Sequence, residues 1–415
     1  MKIGIDARFV GPWGTGIGKY TEKLILNLAR IDTKNKYCIF LRRENWDYLA
    51  LTRHRNFIKV SADIPWYSLK EQFQLPKIFQ SQNLDLLHVS HFNVPIFYKG
   101  KFVVTIHDLI HHKFSESTAT TKNPIVFSFK RFAYQKVIEN AVKKSQKIIT
   151  PSNFVKEDIV RAFSVNHGKI VVTYEAAEEE YSQSQNKNKP GLEKLQTGFE
   201  GKWNQQFLIY VGNAYTHKNL TRLLDAMKII NNNSYSSSEP PAGGELRSSR
   251  PALLASLRSG PAGRQARTII KLIIVCSRDV FAERLKKEIK NRELDGKVEL
   301  KGYLKPAQLA KLFHQAAAYV FPSLSEGFGI PGLNAMASGL PVVCSNIQTL
   351  KEIYSDAALY FDPNDPKNIA DKIHQVLQDE KTRFDLAKKG SLQVKKYSWL
   401  KMAEETLKIY EESIG

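Results

Sequence analysis

The chain has 415 residues, of which 42% are hydrophobic and 25% are charged, and its formal net charge at pH 7 is +20. The length predicts two domains, and the composition is that of a folded protein rather than a disordered one. No apolar run approaches the roughly 18 residues that a membrane span requires, and the three scattered cysteines indicate neither a disulfide framework nor a zinc site.

The N-terminal part of the chain carries most of the positive charge. Residues 1–170 contain 27 basic and 13 acidic side chains, so they account for +14 of the total. The opening stretch, MKIGIDARF, enters a strand pattern directly and shows no cleavable signal. We therefore expect a cytoplasmic protein whose basic side could meet an anionic surface.

Short apolar runs alternate with longer helix-capable stretches along the whole chain. The runs that predict strands are KIGID (2–6), YCIFL (37–41), LLHVS (86–90), FVVTIHD (102–108), KIIT (147–150), IVVTY (170–174), FLIYVG (207–212), KLIIVC (271–276), VELKGY (298–303), AYVFPS (318–323) and PVVCS (341–345). Continuous Val/Ile runs between helices indicate strands that are buried on both faces. The pattern predicts an α/β chain with two doubly wound, Rossmann-like parallel sheets.

A basic, helix-capable stretch lies at residues 129–147, FKRFAYQKVIENAVKKSQK. Its lysines and apolar residues are typical of an amphipathic helix that touches an anionic membrane surface or nucleic acid. The alternative is a solvated helix whose apolar stripe faces the domain core. Either the inner face of the plasma membrane or the core could therefore receive this apolar stripe.

A polar stretch between residues 175 and 204 interrupts the alternation and predicts the junction of the two domains. We place an N-terminal domain at 1–185, a C-terminal domain at 186–395, and a final helix at 396–415 that returns to the N-terminal domain. Ligands bind outside the carboxyl ends of parallel strands, so two such domains facing each other would enclose a cleft.

Residues 236–267 differ abruptly in composition from the rest of the chain. They contain no Lys, Ile, Asn or Val and five arginines. A segment of this composition buries too little apolar surface to form a core, so the composition predicts a disordered surface insertion. A binding arm built on the arginines is the alternative.

The loop SEGFGIPG, residues 325–332, follows a predicted strand and leads into a predicted helix. Its glycines allow tight turns, and the free N–H groups at a helix N-terminus favour a phosphate. A carboxylate, Glu326, would repel a bound phosphate, so it is better suited to neutral hydroxyls such as those of a sugar. The alternative is that Glu326 only caps the helix.

The segment FPSLSEGFGIPGLNAMASGLPVV resembles the signature of the family 4 glycosyltransferases, which are retaining enzymes of the GT-B fold that use nucleotide-sugar donors. Five further segments are similar to those of the mannosyltransferase-like members of glycan and O-antigen assembly. They are DARFVGPWGTGIGKYTEKL (6–24), TIHDL (105–109), YVGNAYTHKNLTRLLDA (210–226), SDAALYFDP (355–363) and YSWLKMAEETLKIYEE (397–412). Apart from the insertion, the resemblance covers nearly the whole chain.

The resemblance implies a role for each matching residue. Three are implied in catalysis: Lys218 neutralises the donor diphosphate, His107 contacts the transferred sugar across the cleft, and Glu326 holds its hydroxyls. Gly16 and Gly18, in the first strand-to-helix loop, would let the backbone approach the diphosphate or the acceptor. The other implied donor-binding residues are Gly212, Asn213, Arg278, Ser325, Gly327, Phe328, Gly329, Ile330 and Asn334.

Two residues depart from the family pattern. Asn213 stands where many members have a diphosphate-binding arginine, and Arg222 and Arg278 are the candidates to replace that charge. Asn334 stands where the pattern has a second carboxylate that binds the donor ribose. An amide binds a diol less strongly than a carboxylate does, so we predict weak donor affinity that Asn334→Glu would improve.

The chain contains no Asp-x-Asp pair, so we expect no metal and no other cofactor at the donor diphosphate. The predicted partners are a nucleotide-sugar donor and a glycan or lipid-linked acceptor. A degenerate nucleotide-sugar binder is the alternative, because of Asn213 and Asn334. A basic nucleic-acid-binding protein is a third hypothesis, although no nucleic-acid recognition motif accompanies the charge.

Overall fold

The computed structural model describes residues 1–11, 16–110, 124–181, 207–232, 269–277 and 279–415, with side chains between 124 and 144 described from residue 132 onward. The predicted insertion at 236–267, the predicted domain division at 185/186 and Arg278 lie outside the described residues.

The N-terminal part contains a seven-stranded sheet in which every neighbouring pair is parallel. Its spatial order is β3-β2-β1-β4-β5-β6-β7. The strands are β1 (Lys2–Asp6), β2 (Lys36–Leu41), β3 (Phe57–Ser61), β4 (Leu86–Val89), β5 (Phe102–Thr105), β6 (Ile148–Thr150) and β7 (Ile170–Val172). The direction of the crossovers reverses between β1 and β4, which is where such sheets bind ligands.

Helices cover this sheet. They are α1 (Gly16–Ile31), α2 (Leu69–Phe73), α3 (Leu75–Gln80), α4 (Pro124–Lys144) and α5 (Asn153–Phe163). The buried face of α1 carries Tyr20, Leu24, Ile25 and Leu28 at helical spacing. Ser152 caps α5 by accepting a hydrogen bond from the backbone N–H of Val155.

The second sheet has six strands in the order β10-β9-β8-β11-β12-β13, again with every neighbouring pair parallel. The strands are β8 (Phe207–Val211), β9 (Lys271–Val275), β10 (Val298–Lys301), β11 (Ala318–Phe321), β12 (Val342–Ser345) and β13 (Ala358–Phe361). Its helices are α6 (Leu220–Asn231), α7 (Val280–Asn291), α8 (Pro306–Gln315), α9 (Ile330–Ala337), α10 (Gln348–Tyr354), α11 (Pro366–Gln378) and α12 (Glu380–Val394). The reversal point of this sheet lies between β8 and β11.

The prediction of two doubly wound parallel sheets is confirmed, but two edge strands were missed. In β3 the second and last residues are exposed, so the run FIKVS lacks the continuous apolar character of a central strand. The short β13, ALYF, lies within the segment SDAALYFDP and was not predicted as a strand. Both strands lie at sheet edges. Edge strands are partly exposed to solvent, so their side chains need not all be apolar.

The last helix, α13 (Trp399–Ile414), packs on the N-terminal part. Tyr410 lies in the core shared with α1, and its hydroxyl is 2.6 Å from Nδ1 of His88 in β4. The indole N–H of Trp399 donates to the carbonyl of Ala177, which follows β7. This helix therefore fastens the end of the chain to the first sheet.

The carboxyl edges of the two sheets are in direct contact. Ser152 Oγ donates to the carbonyl of Gly327 at 2.8 Å, and a Cβ added at Gly327 would lie 2.1 Å from the carbonyl oxygen of His107. Glu352 in α10 accepts hydrogen bonds from the backbone N–H groups of Asn153 and Phe154. Only glycine at position 327 allows this approach.

Candidate active site

An ion pair joins the two loops that border the reversal point of the second sheet. Lys218 follows β8, Glu326 follows β11, and Lys218 Nζ lies 2.6 Å from Glu326 Oε1. The two side chains are only 13% and 10% exposed. A backbone bond from Leu324 N–H to the carbonyl of His217 holds the loops together at 2.8 Å. Lys218 and Glu326, which are both predicted to act on the donor, are therefore neighbours.

The surrounding residues fix both members of this pair. The Thr349 hydroxyl donates to the carbonyl of Glu326 at 2.9 Å. Asn219 has a left-handed backbone, with φ of 59°, and its amide donates to the carbonyls of Pro322 and Pro363. Asn219 is the N-cap residue of α6, but its side chain accepts no hydrogen bond from the first turn of the helix, and its amide joins three loops instead.

The pair has capacity left for a ligand. An ammonium group carries three N–H bonds, and Glu326 accepts one of those of Lys218. The others can reach anionic oxygens, while the carboxylate can accept from hydroxyls. The N-terminus of α9 begins immediately beyond this loop, after Gly329 with φ of +102°. Pro331 has no N–H, and those of Gly332 and Leu333 donate to the carbonyl of Gly329. This end therefore offers a phosphate the helix dipole and the N–H of Ile330.

His107 lies two residues beyond β5, and its ring is turned into the N-terminal part. Nδ1 is 3.0 Å from Glu175 Oε1, and Nε2 is 3.1 Å from the carbonyl oxygen of Ser90. A carboxylate and a carbonyl only accept, so both bonds form together when the ring carries two N–H groups. The backbone of His107, not its imidazole, reaches Gly327. A contact between its ring and a transferred sugar therefore stays a prediction.

The glycines of the first helix differ from their predicted roles. Gly16 and Gly18 lie in the first turn of α1 and not in the preceding loop. A Cβ added at Gly18 would lie 2.2 Å from the carbonyl oxygen of Phe9, so this glycine permits close packing of α1. Gly16 is exposed and lines a cavity of about 250 Å³. Of the two, only Gly16 remains a candidate for contact with a ligand.

Asn334 is 6% exposed and faces the segment that follows β7. Its Oδ1 accepts from the backbone N–H of Glu178 at 2.8 Å, and its Nδ2 lies 3.4 Å from Glu178 Oε1. Lys19 in α1 pairs with Glu178 Oε2 at 3.2 Å and with Glu22 at 3.1 Å. Burial alone would lower the pKa of Lys19, but these two carboxylates raise it above its usual value.

The remaining predicted donor residues fall into three groups. Phe328 is 3% exposed and packs edge-on against Tyr397, so its side chain belongs to the core and only its backbone borders the loop. Asn213 follows Gly212 beyond β8, and its carbonyl accepts from the Tyr210 hydroxyl at 2.8 Å. Ser325, Gly327 and Gly329 belong to the loop itself, and of the four residues from 325 to 330 still to be placed only Ile330 lines the cavity.

Sequence reasoning missed Glu175, Glu178 and Lys19. The run EAAEEEY that holds both glutamates was assigned to a polar junction. In the structure, the carboxylate of Glu175 is bound by His107 and that of Glu178 by Lys19 and Asn334. Two further glutamates, Glu179 and Glu180, belong to the same run, so nothing in it distinguished the functional candidates from solvated charge.

The geometry reverses the predicted effect of Asn334→Glu. A glutamate at this position would place its carboxylate against that of Glu178, and like charges that share a site repel. We expect the donor to bind at least about threefold more weakly. We also expect the melting temperature to fall by about 2–4 °C, which corresponds to a loss of about 1 kcal/mol in the free energy of unfolding. Calorimetric titration of nucleoside diphosphates and a thermal melt measure both, with exposed Asn364→Glu as the control. Tighter binding would mean that position 334 itself faces the ligand.

Two family models match the chain. "Glycosyltransferase Family 4" matches residues 15–180, and "Glycosyl transferases group 1" matches residues 264–393. The first therefore covers most of the N-terminal sheet, and the second covers Glu326 and Asn334.

Two curated relatives are O-antigen chain mannosyltransferases by name. Mannosyltransferase B of Escherichia coli is 30% identical over 278 residues, which span 67% of this chain and 63% of the relative. Mannosyltransferase RfbU of Salmonella typhimurium is 24% identical over 387 residues, which span 91% of this chain and 92% of the relative.

Among solved structures, the Anabaena protein HepE in complex with UDP and glucose superimposes with a TM-score of 0.66. The two chains are 15% identical, and the match covers 99% of each. At this identity the likeness concerns the fold, which it shares over both sheets.

Proposed function

Because the chain belongs to the glycosyltransferases, with the domains of family 4 and of group 1 on the GT-B fold, we propose that it transfers a mannosyl group from a nucleoside diphosphate sugar to a glycan or lipid-linked acceptor. The observation that carries the proposal is the Lys218–Glu326 pair at the reversal point of the second sheet. The names of the two relatives support mannose as the sugar and O-antigen assembly as the setting.

In the proposed reaction the two side chains act on different parts of the donor. Lys218 and the N-terminus of α9 stabilise the charge that develops on the leaving diphosphate. Glu326 accepts hydrogen bonds from sugar hydroxyls and keeps C1 in position. The bond from C1 to the phosphate oxygen breaks as the acceptor oxygen bonds to C1 on the same face, and the leaving phosphate takes the acceptor's proton. We propose that this retaining step needs no metal ion.

A degenerate nucleotide-sugar binder is the main alternative. It rests on Asn213 and Asn334, which replace charged residues of the family pattern. The nearly buried Lys218–Glu326 pair fits a binder as well as an enzyme, so the two relatives named as mannosyltransferases are what favours the enzyme. Nucleic-acid binding rests on net charge alone.

A binding experiment separates the enzyme and the degenerate binder, which both bind a nucleotide sugar, from a nucleic-acid-binding protein. Acceptor-dependent turnover then separates the first two. The protein is titrated with UDP, GDP, ADP and dTDP sugars and, in parallel, with a single-stranded oligonucleotide at 50 and 200 mM salt. The proposal expects saturable binding of at least one nucleotide sugar, with little change between the two salt concentrations. Tight oligonucleotide binding that collapses at 200 mM salt, with no nucleotide-sugar binding, would contradict it.

We also propose that α4 brings the enzyme to the inner face of the plasma membrane. Val137, Ile138 and Val142 are buried, so this part of the apolar stripe faces the core and cannot enter lipid. Lys136, Lys143 and Lys144 are exposed. Phe73 and Phe97, which are 57% and 52% exposed, stack with ring centroids 4.9 Å apart and supply exposed apolar surface elsewhere in the same domain. None of the described helices is long and apolar enough to cross a bilayer.

Exchanging Lys136, Lys143 and Lys144 for glutamine is expected to weaken binding to vesicles that contain anionic lipid. Each lysine near such a surface contributes about 1 kcal/mol, and salt screens the effect. Co-sedimentation measures it, and the matched control exchanges Lys286, Lys287 and Lys290, which are exposed on α7 of the other domain. Equal binding by both triple variants would refute contact through α4.

A further inference from the structure

We propose that Glu178 binds the ribose hydroxyls of the donor nucleotide and that Asn334 positions it for this contact. The inference rests on the proposed function and assigns the ribose contact to a residue outside the matched loop. In the family pattern the carboxylate stands at position 334, whereas here the segment after β7 brings a carboxylate to the side chain of Asn334.

The first argument is the place of Glu178 in the cleft. A cavity of about 250 Å³ lies between α1, the segment after β7, α8 and the N-terminus of α9. Its polar wall is formed by Lys19, Glu178 and Asn334, and its apolar wall contains Val211, Leu309, Phe313 and Ile330. The volume is below the roughly 300–1,000 Å³ of sites that enclose a whole drug-sized ligand. It therefore suits one part of the donor.

The second argument is chemical. The cavity adjoins the N-terminus of α9, where we place the diphosphate, and Ile330 and Pro331 line it. A carboxylate there would repel a phosphate but accepts strongly from neutral hydroxyls. The group that a nucleoside diphosphate carries next to its phosphates is a ribose with two adjacent hydroxyls. The apolar side chains that line the same cavity suit a base.

The third argument is the capacity of the carboxylate. A carboxylate accepts about four hydrogen bonds. Lys19 is 3.2 Å from one oxygen of Glu178, and the Asn334 amide is 3.4 Å from the other. Each oxygen therefore keeps a lone pair for one ribose hydroxyl. The side chain of Glu178 is 14% exposed, so it is held in place yet still reached by a ligand.

The fourth argument is the orientation of Asn334. Its Oδ1 accepts the backbone N–H of Glu178 at 2.8 Å while its Nδ2 faces the carboxylate of the same residue. An amide offers one acceptor and one donor, so it matches both groups, whereas a carboxylate would oppose Glu178. Sequence reasoning treated Asn334 as the loss of a carboxylate. In the structure, Asn334 is instead the hydrogen-bonding partner of Glu178, which lies on another segment.

The test compares ribonucleotides with their 2′-deoxy forms. GDP and 2′-deoxy-GDP, with UDP and 2′-deoxy-UDP in parallel, are titrated calorimetrically into the wild type, Glu178→Gln and the exposed neighbour control Glu179→Gln. The wild type and the control should prefer the ribose form about tenfold, the ratio expected when a charge-assisted bond is lost. Glu178→Gln should lose this preference and bind the deoxy form almost as the wild type does.

A second variant guards against a fold effect. The double variant Glu178→Gln with Asn334→Glu exchanges the carboxylate and the amide between positions 178 and 334. Its preference for the ribose form should return in part. Equal weakening of both nucleotide forms in Glu178→Gln would mean that Glu178 only fastens the two domains, and the inference fails. A wild type that binds but does not discriminate ribose also overturns it. A wild type that binds neither of these nucleotides, nor any of the UDP, GDP, ADP and dTDP sugars, at millimolar concentration overturns the proposed function as well.

Discussion

Replacing Lys218 with methionine is expected to lower the turnover number by a factor of about 10²–10³, the usual effect of removing one group that stabilises developing negative charge. Methionine keeps the length and packing of the stem but removes the ammonium group. With Asn213 in place of a second cation, Lys218 has the larger share of the diphosphate charge to neutralise. Steady-state kinetics with a nucleotide sugar measure the change, and exposed Lys228→Met is the control.

The variant also leaves Glu326 without its cation, and an unpaired, nearly buried carboxylate destabilises the loop. The double variant Lys218→Met with Glu326→Gln removes that second effect. The proposed role requires the double variant to melt near the wild-type temperature and to turn over more slowly than Glu326→Gln alone. Wild-type turnover in Lys218→Met would assign Lys218 to loop structure alone.

Replacing Glu326 with alanine is expected to lower the turnover number by about one to two decades, because its charge-assisted bonds to sugar hydroxyls contribute roughly 1.5–3 kcal/mol. Glu326→Gln keeps the shape and one acceptor, so its loss should be smaller. Both variants should bind the nucleoside diphosphate without its sugar as the wild type does. Exposed Glu283→Ala controls for the loss of one carboxylate elsewhere in the domain.

Two results would count against this role. If Glu326→Ala turns over as the wild type does, the carboxylate only supports the loop. If it weakens the nucleoside diphosphate as much as the nucleotide sugar, then Glu326 acts by holding Lys218 rather than by touching the sugar.

Residues within one loop could be predicted from the sequence, whereas contacts between distant segments could not. The glycines of SEGFGIPG predicted a turn before a helix, and α9 begins at Ile330. The partner of Asn334 is 156 positions earlier in the chain, at Glu178. No local spacing links two such positions, because the domain arrangement alone brings them together.

His107 shows the same limit for the direction of a side chain. The predicted strand at 102–108 put His107 near the carboxyl edge of the sheet, and the structure agrees, because β5 ends at Thr105. Which way the imidazole turns depends on Glu175 and on the carbonyl of Ser90, which belong to two other loops. A buried polar ring needs hydrogen-bond partners. The hydrophobic periodicity of the sequence does not show which residues those partners are.

Gly18 illustrates how one residue type serves two purposes. A glycine-rich stretch between a strand and a helix predicts close approach by the backbone, and close approach is what the structure contains. The neighbour at position 18 is the carbonyl of Phe9 rather than a ligand. Sequence reasoning identified the geometric requirement and not the group that imposes it.

The central claim is that this chain transfers a sugar at the Lys218–Glu326 pair. The most direct measurement is the release of nucleoside diphosphate from GDP-mannose, with UDP and ADP sugars alongside, in the presence of short mannosides as acceptors and of EDTA. The account predicts acceptor-dependent release by the wild type, an α-linked product from the α-linked donor, and a rate at least about a hundredfold lower in Lys218→Met. Release at equal rates by the two proteins, or none from any nucleotide sugar at millimolar concentration, would contradict it.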